Sequence, residues 1–114
     1  MHELGIVFYI IKDVKQVAEE NDATHIQAVS LNLGEVSGVV PDLLLDCWKW
    51  AVNKEPLMTN CELQINTLPA IAYCETCQKE YPTVAHGKTC PHCGSTHTYL
   101  KTGNEVEIKD ISIV

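Results

Sequence analysis

Arginine is absent from the 114 residues. The eight cationic side chains are all Lys, against fifteen Asp plus Glu, for a formal net charge of −7. Nucleic-acid binders need clustered Lys and Arg to displace counterions and favour Arg at base edges, so this balance opposes nucleic acid as a partner. Attraction to an anionic membrane is opposed on the same ground. Gly and Pro are few, and 46% of the residues are hydrophobic, which excludes a disordered or collagen-like chain. Long apolar runs are missing as well. Leu4 to Ile11 stops at Lys12-Asp13, far short of a bilayer span, and Met1-His2-Glu3 has no basic character of the kind that opens a targeting segment. The chain is therefore read as cytoplasmic, where thiols stay reduced. A Gly-rich phosphate loop and a nucleophile motif are also absent, so an enzyme is the least favoured class.

What is present fits one small domain with a satellite, since a chain of this length buries only roughly two-thirds of its unfolded surface. Leu4, Val7, Phe8, Ile11, Val14 and Ala18 recur at three- and four-residue steps, predicting a helix over 4–21 that ends at Asn21-Asp22. Val29, Leu31 and Leu33 alternate with polar residues up to Gly34 and predict a strand. Pro41 stands where a first helical residue belongs, and Leu43 to Val52 predict a second helix, apolar on most sides and so expected to be well buried. Cys61, Leu63 and Ile65 alternate in a second strand. After Leu68-Pro69 the character changes to a turn-rich module over about 70–104 that holds four of the six Cys. Alternation resumes at Glu105, with Val106 and Ile108 on one parity and Ile111 and Ile113 on the other, which predicts a bulge near Lys109-Asp110 or a strand shared between two packing surfaces. The expected fold class is α+β: two helices on a small mixed β-sheet with an inserted four-Cys zinc ribbon. The expected division is 1–68 plus 105–114 for the body and 69–104 for the ribbon.

Cys74-Glu-Thr-Cys77 and Cys90-Pro-His-Cys93 are two CxxC knuckles with twelve residues between them. Two thiolates two residues apart can face one ion from a tight turn, and two such turns supply four sulfurs in tetrahedral array, the preference of a structural zinc site. Gly94 follows the second knuckle, where positive φ is often required. With all four positions filled by Cys, no position is open for a substrate. Two disulfides or a redox CxxC are the competing readings. A reducing compartment opposes the first, and two matched pairs oppose the second. His86, His92 and His97 read as solvated loop residues, and Cys47 and Cys61 as small buried hydrophobes.

The amino terminus is the second place with chemistry. The α-amine of Met1, the backbone nitrogen of His2 and its imidazole Nδ1 can chelate one ion through a five- and a six-membered ring. That donor set suits a square-planar ion able to displace an amide proton, Ni(II) or Cu(II). The fourth position falls to Glu3, through its carboxylate or its amide nitrogen, or to a residue from elsewhere in the chain. Met1 is expected to be retained, because His2 is too bulky for removal of an initiator Met. Taken alone, these three residues are better explained by a frayed terminus with a solvated His.

Together, Met1-His2-Glu3-Leu4, Leu33-Gly34-Glu35, the two knuckles and Gly103-Asn104-Glu105 resemble the HypA/HybF hydrogenase maturation proteins, which are nickel metallochaperones. The resemblance runs over essentially the whole chain. It implies nickel held by Met1 and His2 with Glu3 as part of the site, and zinc at Cys74, Cys77, Cys90 and Cys93. It implies a partner GTPase (HypB), delivery to the large subunit of a [NiFe]-hydrogenase, and in some organisms a link to urease maturation proteins. Some members place a further acidic residue at the start of the second helix. Asp42 is the candidate here, but Val40-Pro41 precede it and it is left out of the assigned site. Sequence leaves open whether the chain is a monomer or a homodimer. The rival reading is a zinc-ribbon protein-interaction adaptor with no second metal.

Overall fold

The computed structural model describes residues 2–114; the amine proposed as a nickel donor belongs to Met1, outside the described residues. The chain divides into two compact units. The first comprises the residues up to Asn32, Val39–Asn66 and Glu107–Val114; the second comprises Leu33–Gly38 and Thr67–Val106.

In the first unit, helix α1 (Glu3–Glu20) buries Val7, Ile11, Val14 and Ala18 of the predicted stripe and adds Ile10, whereas Leu4 and Phe8, expected on the same face, are 39% and 49% exposed. It stops where Asn21 caps it and Asp22 turns to φ 51°, a left-handed conformation that Asp tolerates better than most residues. Strand β1 (Ile26–Gly34) lies in the middle of a three-stranded sheet, between β2 (Glu62–Leu68) and β6 (Val106–Ile113). The last strand thus joins the body's sheet, as expected. It runs unbroken, and its part-buried Ile108, Ile111 and Ile113 keep the change of parity seen in the sequence.

Helix α2 (Pro41–Val52) begins with Pro41 at its first helical position. It buries Leu44, Trp48, Ala51 and Val52, and the Trp48 indole N–H donates to the Cys61 carbonyl at 3.0 Å. Its expected burial on most sides is corrected here. Leu43 is 47% exposed and Trp50 50% exposed, because α2 presents only one face to the core. On the other face Trp50 meets Phe8 of α1 edge-on at 6.3 Å between ring centroids, and the Lys54 ammonium sits 4.1 Å from the Trp50 ring centre. Cys61 is buried as expected, whereas Cys47 is only half-buried.

The second unit carries a small antiparallel sheet, β4 (Glu80–Pro82), β3 (Ile71–Cys74) and β5 (Thr98–Thr102), in that spatial order, with a short helix α3 (Thr83–His86) after β4. A buried cluster of this unit is Ala72, Cys74, Tyr81 and Cys90, with Cys77 packed against it. The segment that closes β1 packs in this unit. Gly34 N–H donates to the Glu105 carbonyl, Glu35 N–H to the Leu68 carbonyl and Val36 N–H to the Gly103 carbonyl, each at 2.8 Å.

Among the described residues, no helix is long and apolar enough to cross a membrane.

Candidate metal centres

The two knuckles are built alike. In the first, Cys74 N–H donates to the Lys79 carbonyl and Gln78 N–H to the Cys74 carbonyl, both at 2.9 Å. In the second, Cys90 N–H donates to the Ser95 carbonyl at 2.9 Å and Gly94 N–H to the Cys90 carbonyl at 2.8 Å. Each turn closes through a residue with positive φ, Gln78 at 59° and Gly94 at 75°. Glycine takes that conformation freely, while Gln holds it at a cost of roughly 1 kcal/mol or more.

These turns bring the four Sγ atoms within 4.8 Å of one another. Cys74 Sγ lies 3.6 Å from Cys93 Sγ, and Cys77 Sγ 3.6 Å from Cys90 Sγ. A disulfide would need about 2.05 Å. A tetrahedron of Zn–S bonds near 2.3 Å has sulfur–sulfur edges of about 3.8 Å, so the spacing fits a four-coordinate thiolate site. The thiols also show why a cation belongs there. The Cys77 N–H, aimed at the Cys74 sulfur, is the main influence that holds that thiol down to about 6. Desolvation pushes Cys77 up to about 12. Four thiols so close cannot all ionise without a counter-charge, and a divalent ion supplies it. Cys74 and Cys90 are buried, Cys77 is half-buried and Cys93 is exposed. His86, His92 and His97 are exposed and fall outside the cluster; His92 and His97 lie in loops as expected, whereas His86 ends α3.

At the other candidate centre, His2 is exposed and occupies the cap position before α1, with no side-chain capping bond. Its carbonyl accepts the Ile6 N–H at 3.1 Å, so helical bonding begins at this residue. Helix geometry leaves the first backbone N–H groups without an intrahelical acceptor, which frees them for other chemistry. Glu3 differs from its neighbour. It is 4% exposed, and its Oε2 accepts the Val40 N–H at 3.0 Å. That bond is the main influence holding the Glu3 carboxyl below its ordinary value. The sequence gives no hint of this contact, because it joins residues 37 positions apart. Asp42, the acidic candidate set aside above, is exposed in the first turn of α2.

Sequence reasoning also passed over the structural use of Glu35 and Glu105. Glu35 Oε1 accepts the Ala70 N–H at 3.0 Å, and Glu105 Oε1 accepts the Gly103 N–H at 2.7 Å. Leu33-Gly34-Glu35 and Gly103-Asn104-Glu105, remote in sequence, thus meet in the second unit.

Comparison with known proteins agrees with this geometry. A family described as "Hydrogenase/urease nickel incorporation, metallochaperone, hypA" matches residues 1–113. The hydrogenase maturation factor HypA of Rhizobium leguminosarum bv. viciae is 30% identical over 114 residues, covering 100% of both chains. That of Actinobacillus succinogenes is 32% identical over 113 residues, covering 99% of both. In fold, the chain is similar to the solution structure of the Ni metallochaperone HypA from Helicobacter pylori, with a TM-score of 0.74 at 22% identity over 100% of this chain and 98% of that one. With its two units and four-Cys metal site, the chain belongs to the HypA family of nickel metallochaperones for hydrogenase maturation, which are carriers of metal and not enzymes.

Proposed function

We propose that this chain binds Ni(II) at its amino terminus and releases it during maturation of a [NiFe]-hydrogenase, with urease as a second client where the organism has one. The donors are the Met1 amine, the His2 amide nitrogen and the His2 imidazole, with Glu3 adjoining the site; in a square the His2 nitrogen has two cis neighbours, and the amine and the imidazole take both. The nickel-binding domain of this reading is 1–68 plus 105–114, apart from 33–38, which cluster with the second unit. The inserted ribbon, 69–104, holds zinc at Cys74, Cys77, Cys90 and Cys93. The zinc supplies a fixed tetrahedral staple and no chemistry on a substrate. The cytoplasm is the compartment that keeps these thiols reduced.

The observation that carries the nickel reading is the position of His2. It is exposed, and its backbone N–H precedes the first helical hydrogen bond. Deprotonating that amide for a planar chelate breaks no helix bond, and the positive end of the helix dipole favours the resulting anionic nitrogen. An exposed terminal chelate also suits release, since a partner can strip its ligands one at a time. We assign that partner role to the GTPase HypB and the receiving role to the hydrogenase large subunit.

The test is metal analysis of tag-free protein after one equivalent of Ni(II), with an absorption spectrum. The expected result is one bound nickel with the band of a planar four-coordinate ion. His2→Ala, or residues added ahead of Met1, should remove the nickel and leave zinc unchanged. Full nickel affinity in an N-terminally extended protein would overturn the chelate. Failure of the native protein to bind Ni(II) would leave the zinc-ribbon adaptor.

A further inference from the structure

Glu3 is a carboxylate in the first turn of a helix, where solvated acidic residues are common because they complement the helix dipole. Here it is turned inward. The residue is 4% exposed, and its Oε2 accepts the N–H of Val40 at 3.0 Å. Val40 is itself the cap residue of α2, its carbonyl accepting the Leu44 N–H at 2.9 Å. Val40 contributes no side-chain cap, and the following Pro41 has no N–H to give. The bond therefore ties the first residue of α1 to the residue that starts α2, one position away from His2.

We infer that the Glu3 carboxylate is a positioning group for the nickel chelate, clamped to the Val40 amide, and not a nickel ligand. The inference rests on the terminal-chelate reading above. With Oε2 bonded to Val40 and the residue 4% exposed, the carboxylate is engaged with the start of α2. The clamp fixes the first residue of α1, and through it the neighbouring His2 backbone, before nickel arrives. Ordering fewer groups at the moment of binding raises affinity.

The test compares Glu3→Ala, Glu3→Gln and Val40→Pro in zinc-loaded, tag-free full-length protein. Val40 has φ −89°, close to the proline range, so Val40→Pro deletes the donor with little change of backbone. Two quantities are read: Ni(II) affinity from the planar absorption band, and exchange protection of the Val40 amide in the absence of nickel. Glu3→Ala and Val40→Pro should each weaken nickel binding by about tenfold, the scale of one hydrogen bond to a charged group. The double variant should lose no more than either alone. Glu3→Gln keeps an acceptor oxygen, and a neutral bond is about half as strong, so it should recover to within about threefold of native. Val40 amide protection should vanish in Glu3→Ala and persist in Glu3→Gln.

Equal losses in Glu3→Gln and Glu3→Ala, with Val40 still protected in Glu3→Gln, would make the carboxylate a ligand and overturn the inference. Native affinity in Glu3→Ala would do the same. Should Glu3→Ala not fold, Val40→Pro and Glu3→Gln alone still decide, since a ligand role predicts loss in the second and not in the first. A native protein without the planar band would instead sink the chelate reading, and the inference with it, even where Val40 protection still responds to Glu3.

Discussion

Gly34 and Gly103 touch backbone to backbone: a Cβ on Gly34 would stand 2.0 Å from the Gly103 carbonyl oxygen. Gly103 in turn has φ +115°, and a Cβ there would lie 2.4 Å from Ala70 Cα. The contact has no flexible side chain that could yield. Gly34→Ala must push two backbone segments apart and disturb the Val36–Gly103 and Gly34–Glu105 hydrogen bonds. The expected cost is about 3 kcal/mol, the upper end of overpacking. A shift of the denaturant midpoint in Gly34→Ala measures it, and a midpoint equal to native would contradict the close approach.

Zinc removal should act unequally on the two units. The second unit has four buried residues in its own cluster, two of them Cys. Metal binding there is folding free energy. A strong chelator under reducing conditions should abolish the near-ultraviolet signal of Tyr73, Tyr81 and Tyr99, while α1 and α2 keep most of the far-ultraviolet helix signal. Native-like tyrosine signals in metal-free protein would show that the ribbon folds without zinc.

Cys61 and Cys47 should differ in reactivity and in their effect on stability against pH. Burial pushes the Cys61 thiol from 9.0 up to about 11, so it stays protonated and inert at pH 8. Cys47 is half-buried and should alkylate first in zinc-loaded protein, where the other four thiols are coordinated. A group with a raised native pKa contributes stability that is fully present below its unfolded value and is lost as pH rises. For Cys61 the loss spans pH 9 to about 11. Cys61→Ala should flatten the stability curve across that window. An unchanged slope would assign the alkaline loss elsewhere.

The elements that were legible in the sequence are those set by local pattern. Four of the six residues in the α1 stripe, the Pro41 start of α2 and the alternation of β1 each need only neighbours a few residues away. The four-Cys cluster was legible for a related reason: each knuckle is a local turn, and only the pairing of the two is long-range. What escaped was decided across the fold. The spacing of α2 could not say that Leu43 and Trp50 would face outward, because an apolar face is buried only if something covers it. Nor could three residues at the amino terminus announce that Glu3 would turn inward, since its partner is a backbone amide whose donor is sequence-silent. Gly34 and Gly103 were visible as glycines, but their contact exists only once both segments are in place.

Trp48 and Trp50 sit two residues apart in α2 yet in opposite surroundings, the first buried with its indole bonded to Cys61, the second exposed under the Lys54 ammonium. The helix thereby carries two built-in optical probes. Emission from Trp48 should be blue and shielded from acrylamide, reporting whether the interior is intact. Trp50 should emit red and quench readily, so that anything settling on the outer side of α1 and α2 would be seen in its light alone.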